Sequence, residues 1–287
     1  MSSLQVTPPL RGVAAGEHSY SALSPGLDAE LLDPEGWRKI LEQYARTMRV
    51  AVALTDLKGQ LLGTCHNPQA IWRQVREVKP AAPGECSFCL DPTLPCTAVT
   101  EALQTGRVVM ARDETGLAHV AVPLSLGDRQ LGALIAGQVF DRYPEPLPLQ
   151  RLARKFDVSA QQLWREALLQ APVSRATLRV YGDLLASLGQ AFLRERYAAI
   201  LDRKLAETNQ RYRLMIDGVK DYGLYTVDTN GCVTSWNKGA ERLLGYTEAE
   251  ILGRPFTCFF IPQDVQSGAP GTLLESAARG GSIEEEG

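Results

Sequence analysis

Three of the six cysteines of this chain fall in one short loop, "PGECSFCLDPTLPC" at residues 83–96. Cys86 and Cys89 stand as C-x-x-C, and Cys96 follows. A thiolate is a good ligand for zinc or for the iron of an iron–sulfur cluster, and C-x-x-C spacing lets two sulfurs reach one ion. A closed tetrahedral site needs a fourth ligand, for which Cys65, His66 and His119 are the candidates. The bland reading is a set of buried or loop thiols with no metal. Dithiol redox chemistry fits less well: a reactive C-x-x-C normally opens a helix, whose N-terminus lowers the thiol pKa, whereas "CSFCLDP" runs into a proline.

Other polar side chains sit where a ligand could meet them. His119 lies inside the alternating run "LAHVAVPL" and reads either as a satisfied strand residue or as a ligand contact. Gln138 follows Gly137 in an apolar strand, and a buried amide must be satisfied by backbone or by ligand. Asp113 and Glu114 fall at a turn, as solvated residues or as part of a site. Trp72 either fills the core or walls a pocket.

The elements that position these residues follow from periodicity. "LLDPEGWRKILEQYARTMR" (31–49) opens with Asp-Pro, and Leu32, Trp37, Ile40, Leu41, Tyr44 and Met48 recur at helical spacing. "VAVALTDLKGQLLGT" (50–64) is a hairpin turning at Asp56–Gly59. A short helix, "PQAIWRQVREV", precedes the cysteine loop. Next come a helix ending at Thr105-Gly106 and three strands, "RVVMAR", "AHVAVPLSL" and "RQLGALIAGQVF", the last two joined by a tight turn at 127–128. The expectation is α+β: one antiparallel sheet with helices on one face, able to hold a small ligand between the two.

From Val173 to about Met215 the helical pattern is nearly unbroken. Leu185, Leu188 and Phe192 follow 3-4 spacing, and Leu201, Leu205, Thr208, Tyr212 and Met215 do so in a shifted register. The second set reads as the seam of a parallel homodimer, the first as packing on the helix's own domain. "GLYTVD" and "CVTSWN" then form a hairpin around "TNG". Asn237 is placed to cap the next helix, and Thr247 with Glu250 makes a capping box.

The chain has 287 residues, a net charge of −3 and 45% hydrophobic residues. That is globular composition with room for two modest domains. A near-neutral balance disfavours nucleic acid as a partner. No apolar run approaches the roughly 20 residues of a membrane span, and the first residues lack the pattern of a secretory signal. A cytoplasmic protein is expected, with reduced thiols.

Residues 31–170 resemble the PocR-type sensory domain of bacterial histidine kinases and transcription regulators. The likeness is carried by Trp37, Asp56, Gly59, Cys86, "TG" (105–106), "GL" (116–117), "VP" (122–123), "LG" (131–132) and "GQVF" (137–140). It implies a fold related to PAS and GAF domains and a small hydrocarbon derivative, such as a diol, as ligand. Of the family's usual cysteines this chain keeps the one at Cys86. It has Trp72 and "DETGL" at two other cysteine positions and adds Cys89 and Cys96. An inherited metal centre is therefore not implied. The ligand site expected on this basis comprises Trp72, Cys86, Asp113, His119 and Gln138. The competing expectation is a metal or redox sensor built on Cys86, Cys89 and Cys96; a third is a dimerisation scaffold with no ligand, favoured if side chains completely fill the space between sheet and helices.

The third segment resembles a PAS domain through Asp228, "NG" (230–231), "WN" (236–237), "GY" (245–246), Glu250, Gly253 and "FIPQD" (260–264). A PAS domain continues with three further strands, of which "SIEEEG" looks like the first beginning, so the chain reads as part of a longer sensor. Cys232 and Cys258 do not sit in the polar motif of a flavin-binding light sensor, and no cofactor is expected. The organisation read from sequence is a disordered leader (1–30), a PocR-like sensory domain (31–172), a signalling helix or coiled coil (173–215) and the N-terminal part of a PAS domain (216–287). No phosphoacceptor-histidine helix, nucleotide lid or helix-turn-helix is legible, so these residues are expected to have no enzymatic activity. They would act as the input of a sensor, with a small-molecule ligand, a second copy and a downstream effector as partners.

Overall fold

The computed structural model describes residues 3–5, 25–78, 88–90, 97–219, 221–280 and 284–286. They fall into two units, residues 18–200 and residues 201–287 with 1–17. A short strand, β1 (Ser3–Gln5), belongs to the second.

In the first unit, α1 (Pro25–Leu31) buries Leu27 and Leu31. The end of the expected leader is thus helical, held by a Leu-x-x-x-Leu pair and by Leu31, whose carbonyl accepts the Trp37 indole N–H at 2.8 Å. Next, α2 (Pro34–Met48) starts where Asp33 accepts the Gly36 N–H at 3.0 Å, with proline in the first turn. Its buried face is Trp37, Leu41, Tyr44 and Ala45. The hairpin β2 (Ala51–Thr55) and β3 (Leu61–His66) turns as expected, Gly59 donating to the Asp56 carbonyl and the Asp56 carboxylate accepting from Lys58 and Gln60. Then come α3 (Ala70–Val78), α4 (Ala98–Thr105), β4 (Val109–Arg112), β5 (Leu117–Leu126), β6 (Arg129–Phe140), α5 (Pro146–Phe156) and α6 (Ala160–Leu169).

The sheet is fully antiparallel, in the order β3-β2-β6-β5-β4. The hairpin β2–β3 is laid beside the last strand of the β4–β5–β6 meander. This is the PAS/GAF-like antiparallel arrangement expected, with one correction: helices cover both faces. Val52, Leu54, Val120, Val122, Leu124 and Leu134 share a core with α2 and with α7 (Arg175–Gly218). The other face lies under α4, while α3, α5 and α6 enclose an adjoining cluster with Leu117 and Phe140. The physical reason is in β5 and β6, whose two alternating sets are both apolar and mostly buried, so neither face can be left to water.

In the second unit, β7 (Tyr225–Val227) and β8 (Val233–Trp236) pair antiparallel. Asp228 closes the turn, its Oδ1 accepting from the Asn230 and Cys232 N–H groups. There follow α8 (Lys238–Leu244), α9 (Glu248–Ile251), a 3-10 turn at Phe256–Phe259, α10 (Pro262–Ser267), α11 (Ala269–Gly280) and β9 (Glu284–Glu286), which pairs with β1. Asn237 caps α8, accepting from Ala240 and Leu224 while its amide donates to the carbonyls of Ile216, Val219 and Tyr222. The Thr247–Glu250 capping interaction is present. Trp236 lies in the core, stacked on Phe259 with centroids 5.3 Å apart.

Candidate ligand site on the sheet of the first unit

The sheet face under α4 is paved with small residues. The strand register aligns Ala51, Gly137, His119 and Ala111 in one cross-strand row, and Ala53, Ile135, Ala121 and Val109 in the next. His119 is therefore the one large side chain of its row, with nothing bigger than alanine on either side. It is 1% exposed, and the Phe88 ring lies over it at 6.1 Å between centroids. The rest of the cover comes from Ala98, Val99 and Ala102 on α4. The alanines on neighbouring strands make a shallow floor around Ile135 that Phe88 and α4 cover completely, and the His119 imidazole adds a hydrogen-bonding group to it.

The edge of this floor is a β-bulge. His119 pairs with Gly137 and Ala118 with Val139, so Gln138 is the extra residue of β6. Gly137 has φ +145 and Gln138 φ +60. At Gly137 a Cβ would stand 2.5 Å from the Ala118 carbonyl oxygen and from the His119 Cα, so only glycine lets β6 pass this close to His119. Gln138 is fully buried. Its Oε1 accepts the Gln69 N–H at 3.0 Å, its carbonyl accepts from Gln170 Nε2 at 2.9 Å, and its Nε2 donates to Cys65 Sγ at 3.8 Å. A thiol sulfur is a weak acceptor, so this amide N–H has much to gain from an oxygen partner. Burial pushes the Cys65 thiol up to about 12, so without a bound cation it stays protonated at neutral pH.

Asp113 has a scaffolding geometry. Its Oδ1 accepts from the Thr115 hydroxyl at 2.5 Å and from the Thr115 and Leu117 N–H groups, and its Oδ2 accepts from the Leu90 N–H at 2.9 Å. Burial raises its pKa above 3.8, while these donors and nearby His119 pull it back. Arg76, only 6% exposed, donates to the Cys89 carbonyl at 2.5 Å. Together Asp113 and Arg76 tie down Phe88–Leu90, the segment that carries Phe88 over His119.

Of the expected site residues, His119, Gln138 and Asp113 thus converge around one end of the floor. Trp72 is partly buried in the adjoining cluster with Ile71, Val75 and Leu90. Cys86, and Cys96 of the proposed metal loop, lie outside the described residues; Cys89 is buried at 5%. Among the described residues no group of three or more His, Cys, Asp or Glu side chains is arranged to hold a metal ion, and no helix is long and apolar enough to cross a membrane. A cleft of about 100 Å³ bounded by Arg112, Thr115, Phe140 and Tyr143 opens beyond the β4–β5 turn, and an open groove of about 550 Å³ runs along Ala206–Ile216 of α7. Neither lies over the floor.

Sequence reasoning missed the alanines, Arg76, Gln69 and Gln170. The alanines had a readable signal, since "AVALT" alternates small and large residues within one strand. The other three act through bonds to residues distant in sequence.

With this geometry in place, comparison with known proteins identifies the class. The chain belongs to the PocR family: the model for the sensory domain found in PocR matches residues 30–197. A PAS domain model matches residues 221–282. A sensory domain followed by a PAS domain gives this chain a signal-input role. Two-component system protein A of Emericella nidulans is 37% identical over 90 residues, which are 31% of this chain and 13% of that protein. Among solved structures, similarity is found to the E. coli DhaR(N)–DhaL complex (15% identity, 88% of this chain and 78% of that chain, TM-score 0.37). A GAF domain/HD domain protein from Geobacter sulfurreducens also matches (17% identity, 50% and 98%, TM-score 0.27).

Proposed function

We propose that the first unit is the cytoplasmic input of a sensor that binds a small, partly apolar molecule bearing hydroxyl or carbonyl oxygen. Its carbon skeleton rests on Ala51, Ala53, Ala121 and Ala133, and its oxygens meet His119 and the Gln138 amide, which exchanges the Cys65 sulfur for a stronger acceptor. The observation that carries this reading is the row Ala51–Gly137–His119–Ala111, in which one imidazole stands among the smallest possible neighbours. Family membership supports a short diol as the ligand class. Occupancy is relayed by α7 in a homodimer, joined through Leu201, Leu205, Thr208, Tyr212 and Met215, to the PAS segment and a downstream effector such as a histidine kinase. A ligand biases such an output only by its differential affinity for two arrangements of the dimer.

The test is thermal melting of the whole chain with propane-1,2-diol, butane-2,3-diol and the matching mono-alcohols. A bound diol at a hundredfold excess over its Kd stabilises by about 2.7 kcal/mol, a rise of several degrees in Tm. Ala121→Val and Ala53→Val, which raise the floor, are expected to melt cooperatively and to lose the shift. A wild type that no diol stabilises, or a shift kept in both variants, would overturn the assignment.

A further inference from the structure

The first half of α7 presents two faces with different fates. Leu178, Gly182, Leu185, Gly189 and Leu193 are buried on the sheet. At Gly182 a Cβ would stand 2.8 Å from Val108 Cγ1, and at Gly189 2.6 Å from Leu134 Cδ1. Two glycines seven residues apart thus seat the helix directly on the sheet and fix which way it is turned. On the opposite face Val180, Leu184, Ser187, Ala191, Arg194 and Ala198 are all exposed, Val180 at 54% and Leu184 at 47%. They alternate in steps of four and three. The same alternation continues without a break through Leu201, Leu205, Thr208, Tyr212, Met215 and Val219. The shifted register belongs to the stripe of Leu185, Leu188 and Phe192; the outer stripe runs through both halves in one register. Leu185 and Leu188, grouped in one stripe by their spacing, part company: Leu185 is buried on the sheet and Leu188 is 37% exposed beside the outer stripe.

We infer that the homodimer seam begins at Val180, so that α7 of a second copy docks parallel and in register on the outer face of the sensory domain's own helix. This extends the homodimer reading above and rests on it. A 3-4 repeat is self-complementary when two identical helices meet in register. Ser187, Ala191 and Ala198 are small enough for close approach, and Arg194 is a single charged seam position of the kind that fixes register at some loss of stability. The flanks agree with a parallel pair. Asp183, Lys204 and Arg211 would face Leu188, Asn209 and Ile216 of the other copy, while Gln190 and Tyr197 turn to their own domain; no like charges meet on these flanks, and the one like-charge contact is Arg194 with its own counterpart in the seam. An antiparallel pair of the same overlap would set Glu195 against Asp202. The consequence is that the helix is gripped on one side by its ligand-binding sheet and on the other by the second copy.

The experiment is a cysteine scan of the full chain with a short bismaleimide, reading covalent dimer on a denaturing gel against the parent chain with its own cysteines. Ser187→Cys, Ala191→Cys and Ala198→Cys are expected to cross-link several-fold above the parent, as is Leu205→Cys in the lower seam. Ala199→Cys, exposed on the far side, is expected to stay at background. Cross-linking at Leu205→Cys alone would overturn the extension and leave the homodimer reading standing. No cross-linking at any position would overturn both. Equal cross-linking at Ala199→Cys would mean random collision and also overturn the inference.

Discussion

Gly137→Ala is expected to lower the unfolding free energy of the sensory unit by about 4 kcal/mol, a large part of what a domain possesses. Two effects add. The backbone at φ +145 lies in a region that side chains with a Cβ avoid. The new methyl would also stand 2.5 Å from the Ala118 carbonyl oxygen and the His119 Cα, both main-chain atoms of a central strand that cannot swing aside. Gly106→Ala is the control. It too has a positive φ, +65, but open space around it, and strain alone costs about 1 kcal/mol. Denaturant titration of both variants checks the pair; equal losses would mean that the tight passage of β6 past His119 is not what Gly137 provides.

Asp113→Asn is expected to cost about 2 kcal/mol and to change the pH dependence of stability. The amide keeps an oxygen for Thr115 and Leu117, but its NH2 cannot accept from Leu90, which leaves that buried N–H unpaired. Phe88–Leu90 then loses one of its two ties. Burial raises the Asp113 pKa above 3.8 despite its donors, so the folded protein holds this proton more tightly than the unfolded chain. The stability linked to it is fully present below about 3.8 and is lost as pH rises through the folded pKa. The advantage of wild type over Asp113→Asn should therefore narrow across that window. A constant difference between the two unfolding curves would assign the pH dependence to another group.

What could be read from the sequence was local. The Asp56–Gly59 turn, the Asn237 cap and the Thr247–Glu250 pair depend on residues a few positions apart, and each formed as its spacing required. His119 and Gln138 could be placed on strands because "LAHVAVPL" and "GALIAGQVF" carry a strand pattern. Their meeting could not, since it depends on β5–β6 register and on a bulge that inserts one residue. The same limit explains the misplaced helices. A strand buried on both faces looks the same whichever cover it has; that the first half of α7 packs on its own domain was legible from Leu185, whereas its close seat at Gly182 and Gly189 was not, because two glycines mark no apolar stripe. Asp113 shows the converse, a turn residue by its neighbours and a buried tie to Leu90 only in three dimensions.

The central claim, that the alanine floor beside His119 receives the ligand, is tested most directly by NMR of alanine methyls in the whole chain titrated with propane-1,2-diol and butane-2,3-diol. The methyls of Ala51, Ala53, Ala121 and Ala133 are expected to shift saturably, while Ala118 and Ala136 on the opposite sheet face stay in place. Shifts confined to Ala118 and Ala136, or none on either face, would contradict it.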